Sequence, residues 1–448
     1  FGEGINYVFP GAVFFSAPGA TRIVAGLNPG SPKHCGLEII GGRHLPPDWD
    51  GNMVTNDFRA HRVCRFVVTE DNSGYASRQE TELIKTQHVA FRPIDVKMGP
   101  DGAIYIADWY NPIIQHGEVD FRDERRDHTH GRIWRVSAKG RKPLQTAIPK
   151  DVDVYQLLAL LKEPEEWTRQ NAKIMLKHRH AKGDNVGVML QRWLAGLDKA
   201  DPNYEHHLLE GLWLCECIDD TTIGLDLLKD LAKSKDHRIR AAATRTASHW
   251  RTRLDTGDQK LAYPFLRTAV VDQHPRVRLE GVRGLAEVGT DYAAQGAANV
   301  LAKPMDRFLD FALWQAMRDL SPAWLPEVKE GKDVFGGNVE RLTYALKAVN
   351  SPDVVPTLLA LIQADKLPAN RVDEVLGLIA QLGGAKELGA IYAIVVDEKS
   401  KLPAFRKAAL LDSLVETSRL KKVLPAGDLS QLVRLAEGAD ARLIASVL

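Results

Sequence analysis

Two stretches of this 448-residue chain gather side chains able to do acid–base, anion-binding and metal chemistry. The first holds His34, Arg43, His44, Asp57, Arg59 and His61. The second holds Asp95, Asp108, Tyr110, Asn111, His116, Asp123, Arg126, His128, His130 and Arg132. Histidine can take a proton near neutral pH, arginine can hold an anionic group through its planar fork, and aspartate or backbone carbonyls can bind a divalent ion. The same residue types have structural uses, because Asp and Asn cap turns while Arg and His form salt bridges between sheets. The polar run from Asp120 to Arg132 points toward function, since ordering so many polar loop residues for packing alone is costly. Within it, Asp123-Glu124-Arg125-Arg126-Asp127 is equally readable as a solvated charge run. His128-Thr129-His130 has a spacing that on a strand sends both imidazoles to one face, a metal pair without an identifiable third ligand. Gly41-Gly42 and the glycines from Gly26 to Gly30 read as turn residues, with no helix after them to bind phosphate.

These clusters need strands and turns to hold them. Asp101-Gly102 supplies a tight turn, Ile104-Tyr105-Ile106 a short β-prone run, and Asp108 with Asn111-Pro112 its close. Val13-Phe14-Phe15, Leu37-Glu38-Ile39-Ile40, Asn52-Met53-Val54-Thr55 and Val63 to Val68 are the other β-prone runs. The segment repeats itself: Gly51 to Asp57 aligns with Gly102 to Asp108, and His61 to Phe66 aligns with Gly131 to Val136. Tyr110 to His130 is an insertion in the second copy. Two copies of one four-stranded unit predict the last two to three blades of a β-propeller over residues 1–145, residues 1 to about 30 being the tail of a third. A propeller closes with about four blades or more, so further blades are expected before Phe1.

From about Val154 the texture changes to Leu, Ala, Lys and Arg at helical spacing. A helix signature recurs in Trp167 to Ala172, His237 to Ala243, Pro275 to Gly281 and Pro403 to Ala409, with weaker copies at His207, Leu309, Leu342 and Asp373. Its anchors, at 169, 207, 240, 278, 309, 342, 373 and 406, are 31 to 38 residues apart. Ala172, Ala243, Gly281, Ala312, Ala345 and Ala409 lie three residues after their anchors, where two helices must pack closely. This period resembles HEAT repeats and predicts an α-solenoid of helix pairs over residues 150–448. A ninth unit is expected from Arg442. His178, His180, His206, His207 and His237 read as caps or surface residues, and Trp193, Trp213, Trp250 and Trp314 as packing.

The totals exclude some roles. With a formal net charge of +1 and 26% charged residues, the chain has no global basic field for nucleic acid. No apolar run approaches the ~20 residues of a spanning helix. A start at Phe1 and a stop at Leu448 read as an excerpt of a longer protein. Cys35 and Cys64 could pair in an oxidising compartment or stay as buried thiols; Cys215 and Cys217, a C-x-C on a helix, read as buried thiols.

Gly30-Ser31-Pro32-Lys33-His34-Cys35-Gly36, Gly42 to Pro46, Asn56 to Arg62, Asp108 to Gly117, Phe121-Arg122-Asp123 and Asp127 to Trp134 resemble segments of a known family. It comprises large envelope proteins of planctomycetes and verrucomicrobia, described as membrane-bound dehydrogenase-type or haem-binding proteins. Their plan is a propeller similar to soluble quinoprotein glucose and sorbosone dehydrogenases, then HEAT repeats, then a cytochrome c module. The resemblance implies an exported, periplasmic or envelope enzyme. It would oxidise a sugar or alcohol with pyrroloquinoline quinone and Ca²⁺ and pass electrons to haem c, with a protein partner on the solenoid. It implies His34, His61 and His128 as candidate bases, Arg43, Asn111 and Arg132 toward the quinone, and Asp95 and Asp108 toward the ion. The sequence departs from that plan in having no C-x-x-C-H, so it holds no covalent haem site. A propeller and HEAT scaffold that binds polysaccharide or protein without catalysis is the alternative, because propellers host both uses.

Overall fold

The computed structural model of the chain describes residues 4–14, 22–27, 34–114, 119–144, 148, 151–254, 261–363, 372–397, 399–400 and 402–432. Antiparallel sheets lead and helices follow. β1 (His34–Ile39), β2 (Met53–Asp57), β3 (Arg62–Asp71) and β4 (Gly74–Gln79) pair in chain order, and short β5 (Ile84–Lys85) also pairs with β3. β6 (Pro93–Met98), β7 (Ile104–Asp108) and β8 (Arg132–Val136) form a second sheet. It is three-stranded among the described residues, one strand fewer than the expected unit. Val13 and Phe14 belong to neither sheet.

The register makes the internal repeat concrete. Asp57 faces Arg62 across β2 and β3, and Asp108 faces Arg132 across β7 and β8. β1 and β6 carry bulges at matching places, between Cys35 and Leu37 and between Pro93 and Asp95. At the first bulge Gly36 has φ of +62°, and a Cβ there would sit 2.8 Å from the Asp95 Cα. Only glycine lets the two sheets approach so closely. Alternation along the strands then sends Val54, Val63, Val96, Ile104 and Ile106 into one shared core with Ile40, Leu45 and Phe91.

That alternation also decides the cysteines. Cys35 pairs with Asn56 and Cys64 with Thr55, so they flank β2 on opposite faces of the sheet. A disulfide cannot bridge that arrangement. All four cysteines are free thiols, and burial raises Cys35 and Cys64 to about 11.

The helices are α1 (Val154–Ala159), α2 (Glu166–Ala181), α3 (Val186–Ala195), α4 (Tyr204–Ile218), α5 (Thr221–Leu231), α6 (His237–His249), α7 (Arg251–Leu254), α8 (Ala262–Ala269) and α9 (Pro275–Ala286). They continue as α10 (Asp291–Ala298), α11 (Arg307–Asp319), α12 (Ser321–Lys329), α13 (Val339–Val349), α14 (Val355–Gln363), α15 (Val372–Leu382), α16 (Ala385–Val396) and α17 (Ala404–Lys421). Local chemistry sets their starts: Asp153 and Gln156 form a capping box on α1, and Asp220, Asp236 and Asn338 cap α5, α6 and α13. Each of the eight sequence anchors falls on its own helix, from α2 to α17, with at least one helix between successive anchors. Three of the four strong anchors share one device. Arg169, Arg240 and Arg278 each donate from Nη1 to the carbonyls five and six residues back, which fastens the preceding turn to the helix. The unit expected from Arg442 lies outside the described residues.

The chain divides into two compact units, residues 1–284 with 304–312 and residues 285–303 with 313–448. Within the first unit, long-range contacts join the sheets to helices. The β3–β4 hairpin tip is one such contact: Ser73 donates from Oγ and N to the Asp306 carboxylate at 2.6 and 3.1 Å. Phe308, at 1% exposure, packs edge-on against Tyr7 and Phe9. In the second unit α14 packs on α15 and α16, and α17 packs on α15 and α16. Among the described residues no helix is long and apolar enough to cross a membrane.

Candidate functional site

The second strand of each sheet ends in a buried aspartate, and these two carboxylates organise the loops beyond. Asp57 accepts the Ala60 N–H at 3.1 Å and the Arg62 Nε at 3.0 Å. Asp108 accepts the backbone N–H groups of Arg92 and Tyr110 at 2.8 and 3.0 Å on Oδ1, and the Trp134 indole at 3.0 Å on Oδ2. Three N–H donors leave Asp108 little capacity for a cation.

Arg92 ties the loops of the two sheets together. Its buried guanidinium donates to the carbonyls of Phe58 and Asn111 at 2.8 and 3.0 Å and to that of Pro112 at 3.1 Å. Nη1 also lies 3.4 Å from Nε2 of His61. His61 Nδ1 lies 3.0 Å from the Phe91 carbonyl, which can only accept, so Nδ1 carries the proton and Nε2 faces the guanidinium. This imidazole, held at φ of 54°, is a structural bolt with both nitrogens engaged.

Beyond Asp108 the chain turns through Tyr110, a non-glycine residue at φ of 53°. Backbone strain of that kind collects where geometry is over-determined. The Arg132 guanidinium lies 3.6 Å from the Tyr110 ring centroid, His88 stacks on that ring at 5.8 Å, and His130 meets it edge-on at 5.9 Å. His130 Nδ1 bonds Asp127 at 2.9 Å. Asn111 spends its side chain on the loop, accepting the Ile113 N–H at 3.1 Å and donating to the Asp127 carbonyl at 3.4 Å. Trp109 and Trp134 flank this cluster in sequence and are 42% and 41% exposed.

His61, Asp108, Asn111 and Arg132 are thus gathered around Arg92 and Tyr110, while the other four expected residues lie apart. Arg43 donates to Glu165 from its backbone N, Nε and Nη2 at 3.1, 2.8 and 2.6 Å and to Glu163 at 2.8 Å. These are the acidic groups just before α2, and they already balance the Arg43 charge. Asp95 is exposed beside the bulge and accepts the Val96 N–H at 2.9 Å. His34 lies on the outer face of the first sheet, edge-on to Phe66 at 5.7 Å, with both ring nitrogens buried and without a well-formed hydrogen bond among the described residues. Burial lowers its pKa against the pull of Asp57. His128 is exposed, and His128-Thr129-His130 precedes β8, so no strand aims its two imidazoles together. His116 lies outside the described residues.

The charge run is neither free nor uniform. Asp123 caps its own turn, accepting the Arg125 N–H and side chain at 2.9 Å. Arg126 is buried and donates to the Asp120 and Val119 carbonyls. In the helices His207, expected as a cap or surface residue, is buried at 4% exposure and pairs with Asp201 at 3.3 Å. Arg92 and His88 escape a sequence reading, since neither lies in a polar cluster. The one signal for Arg92 is a cation placed directly before a strand proline.

A family model described as a domain of unknown function (DUF7133) matches residues 28–140, which span both sheets. No curated protein matches the chain. The crystal structure of an engineered protein is similar over 66% of this chain and 86% of its own, at 14% identity and a TM-score of 0.27, a likeness too distant to fix a fold.

Proposed function

We propose that the chain is a recognition module in which propeller-type blades stand on a HEAT-type helical scaffold and the second blade binds polysaccharide. The observation that carries this is the aromatic and cationic surface beyond β7. Trp109 and Trp134 are each about two-fifths exposed, as indoles that stack on sugar C–H groups must be, while Arg132 and His130 offer donors to hydroxyls or carboxylates. Three of the groups that would do catalysis or hold a cofactor are engaged by the protein itself: His61 by Phe91 and Arg92, Arg43 by Glu163 and Glu165, and Asp108 by three N–H donors. Repeating anchor arginines and the alternation of helices support the solenoid. The test is tryptophan fluorescence during titration with neutral and uronate-containing polysaccharides. Trp109→Ala and Arg132→Ala are each expected to weaken binding by about tenfold or more. A folded chain that binds none of them sinks this reading.

One observation favours a dehydrogenase instead. Among the described residues the two buried ring nitrogens of His34 have no well-formed hydrogen bond, as a base awaiting a proton would. The quinone and Ca²⁺ implied by the family resemblance fit the eight expected residues poorly as they stand, because Arg43 is paired with Glu163 and Glu165 and Asp108 already accepts three N–H donors. Titration with pyrroloquinoline quinone and Ca²⁺, followed by dye reduction on a panel of sugars and alcohols, separates the two readings. Saturable activity lost in His34→Ala would favour the enzyme, and absence of quinone binding would exclude it.

A further inference from the structure

Where the β3–β4 hairpin meets the helices, three side chains from distant parts of the chain converge. Glu70, near the end of β3, places Oε2 2.8 Å from Nε2 of His237 at the start of α6. The His237 ring lies face to face with His274, just before α9, with centroids 3.6 Å apart and planes 19° from parallel. One potential ligand atom from each of the three lies within 4.8 Å of the other two. We propose that Glu70, His237 and His274 form a binding site for a divalent transition-metal ion of the Zn²⁺ type, pinning the hairpin to α6 and α9.

Two imidazoles and a carboxylate are a borderline-soft donor set suited to Zn²⁺, with a position left open for water. Two imidazolium rings face to face would repel each other, so the stack favours at least one neutral ring, the form that binds a metal. Asp236 rather than His237 caps α6, whereas His274 itself caps α9 through the Arg276 N–H. Asp236 accepts the Arg238 N–H at 2.8 Å, and Asp272 accepts the His274 N–H at 2.8 Å. Asp236 Oδ1 also lies 3.9 Å from His237 Nδ1, where a small ring rotation would make it the carboxylate that orients a metal-bound histidine. Binding has a definite cost. Metal–nitrogen bonds of about 2.0–2.1 Å require the three donors to close up and the parallel rings to turn toward one another. His274 would also give up the 3.2 Å hydrogen bond its Nδ1 accepts from the Arg276 N–H. The sequence hides this site because its ligands are 167 and 37 residues apart.

The test is calorimetric titration of the full chain with Zn²⁺, repeated on His237→Asn, His274→Asn and Glu70→Gln. The expected result is one equivalent bound, with affinity falling by about 100-fold or more in either histidine variant and about tenfold in Glu70→Gln. Circular dichroism checks that each variant is folded. Should a variant not fold, Co²⁺ added to the unchanged ¹⁵N-labelled chain gives a second measurement. Paramagnetic broadening centred on residues 70, 237 and 274 supports the site. Broadening centred on other histidines overturns it, as does Zn²⁺ binding that survives both histidine substitutions or is absent from the unchanged chain.

Discussion

Asp108 accepts the backbone N–H of Arg92 at 2.8 Å, and the Arg92 side chain runs across to the first sheet's loop. One residue therefore fixes the start of β6, the end of β7 and the turn at Phe58. Its guanidinium forms a fork over carbonyls of residues 58, 111 and 112, a geometry that lysine cannot copy. Arg92→Met leaves several buried carbonyls without donors and is expected to cost about 3 kcal/mol in urea denaturation. Arg92→Lys should recover less than half of that. A loss under about 1 kcal/mol would mean the loops are held by other contacts.

Arg43 and Glu165 join the first sheet to α2 through a paired, charge-assisted contact. Glu165 is buried, and burial raises its pKa, but the hydrogen bonds from Arg43 outweigh this and the net shift is downward. Because the Arg43 side chain is half-exposed, solvent screening limits the gain, and Arg43→Ala should cost about 1–2 kcal/mol. With the folded pKa of Glu165 depressed, its contribution is present above the ordinary carboxylate value of 4.5 and is lost as pH falls through the folded value. Measured at about pH 3, the same substitution should cost much less than at pH 7. An unchanged cost would place the energy in packing.

Gly36→Val tests the close approach of the two sheets. A side chain there combines an unfavourable φ with a clash against the Asp95 backbone, which no rotamer change relieves. The expected loss is about 2–4 kcal/mol, or failure to fold, read as a lowered melting temperature. A variant of near-normal stability would show that the bulge can relax without loosening the shared core.

Histidines should make the protein acid-sensitive. His34, His206, His207 and His274 are each lowered from 6.5 by burial. The unfolded chain therefore takes up protons at these positions first, and stability falls as pH drops below 6.5 toward the folded values. His249 opposes them: its hydrogen bond to Glu216 raises its pKa, so its contribution is full below 6.5 and is lost as pH rises through the folded value. Four against one predicts a denaturation midpoint that declines from about pH 7 to about pH 5. A flat or rising profile would count against the burial of these rings.

The sequence by itself determined the order of the architecture. Turn chemistry at Asp101-Gly102, period-two alternation and the pairing of Gly51–Asp57 with Gly102–Asp108 are local signals, and β2, β3, β7 and β8 lie where they place them. The eight anchors likewise fall on separate helices, because each helix is written in its own spacing of small and apolar residues. Tertiary structure decided what each polar residue does. A buried guanidinium takes whatever carbonyls the loops bring to it, so Arg92 silenced His61, and Glu163 with Glu165 claimed Arg43 from 120 and 122 residues away. The meeting of Glu70 with His237 and His274 is of the same kind. Spacing along a chain records neighbours within a turn or a strand. Partners selected by packing leave no such trace, and for that reason the elements were legible while the site was not.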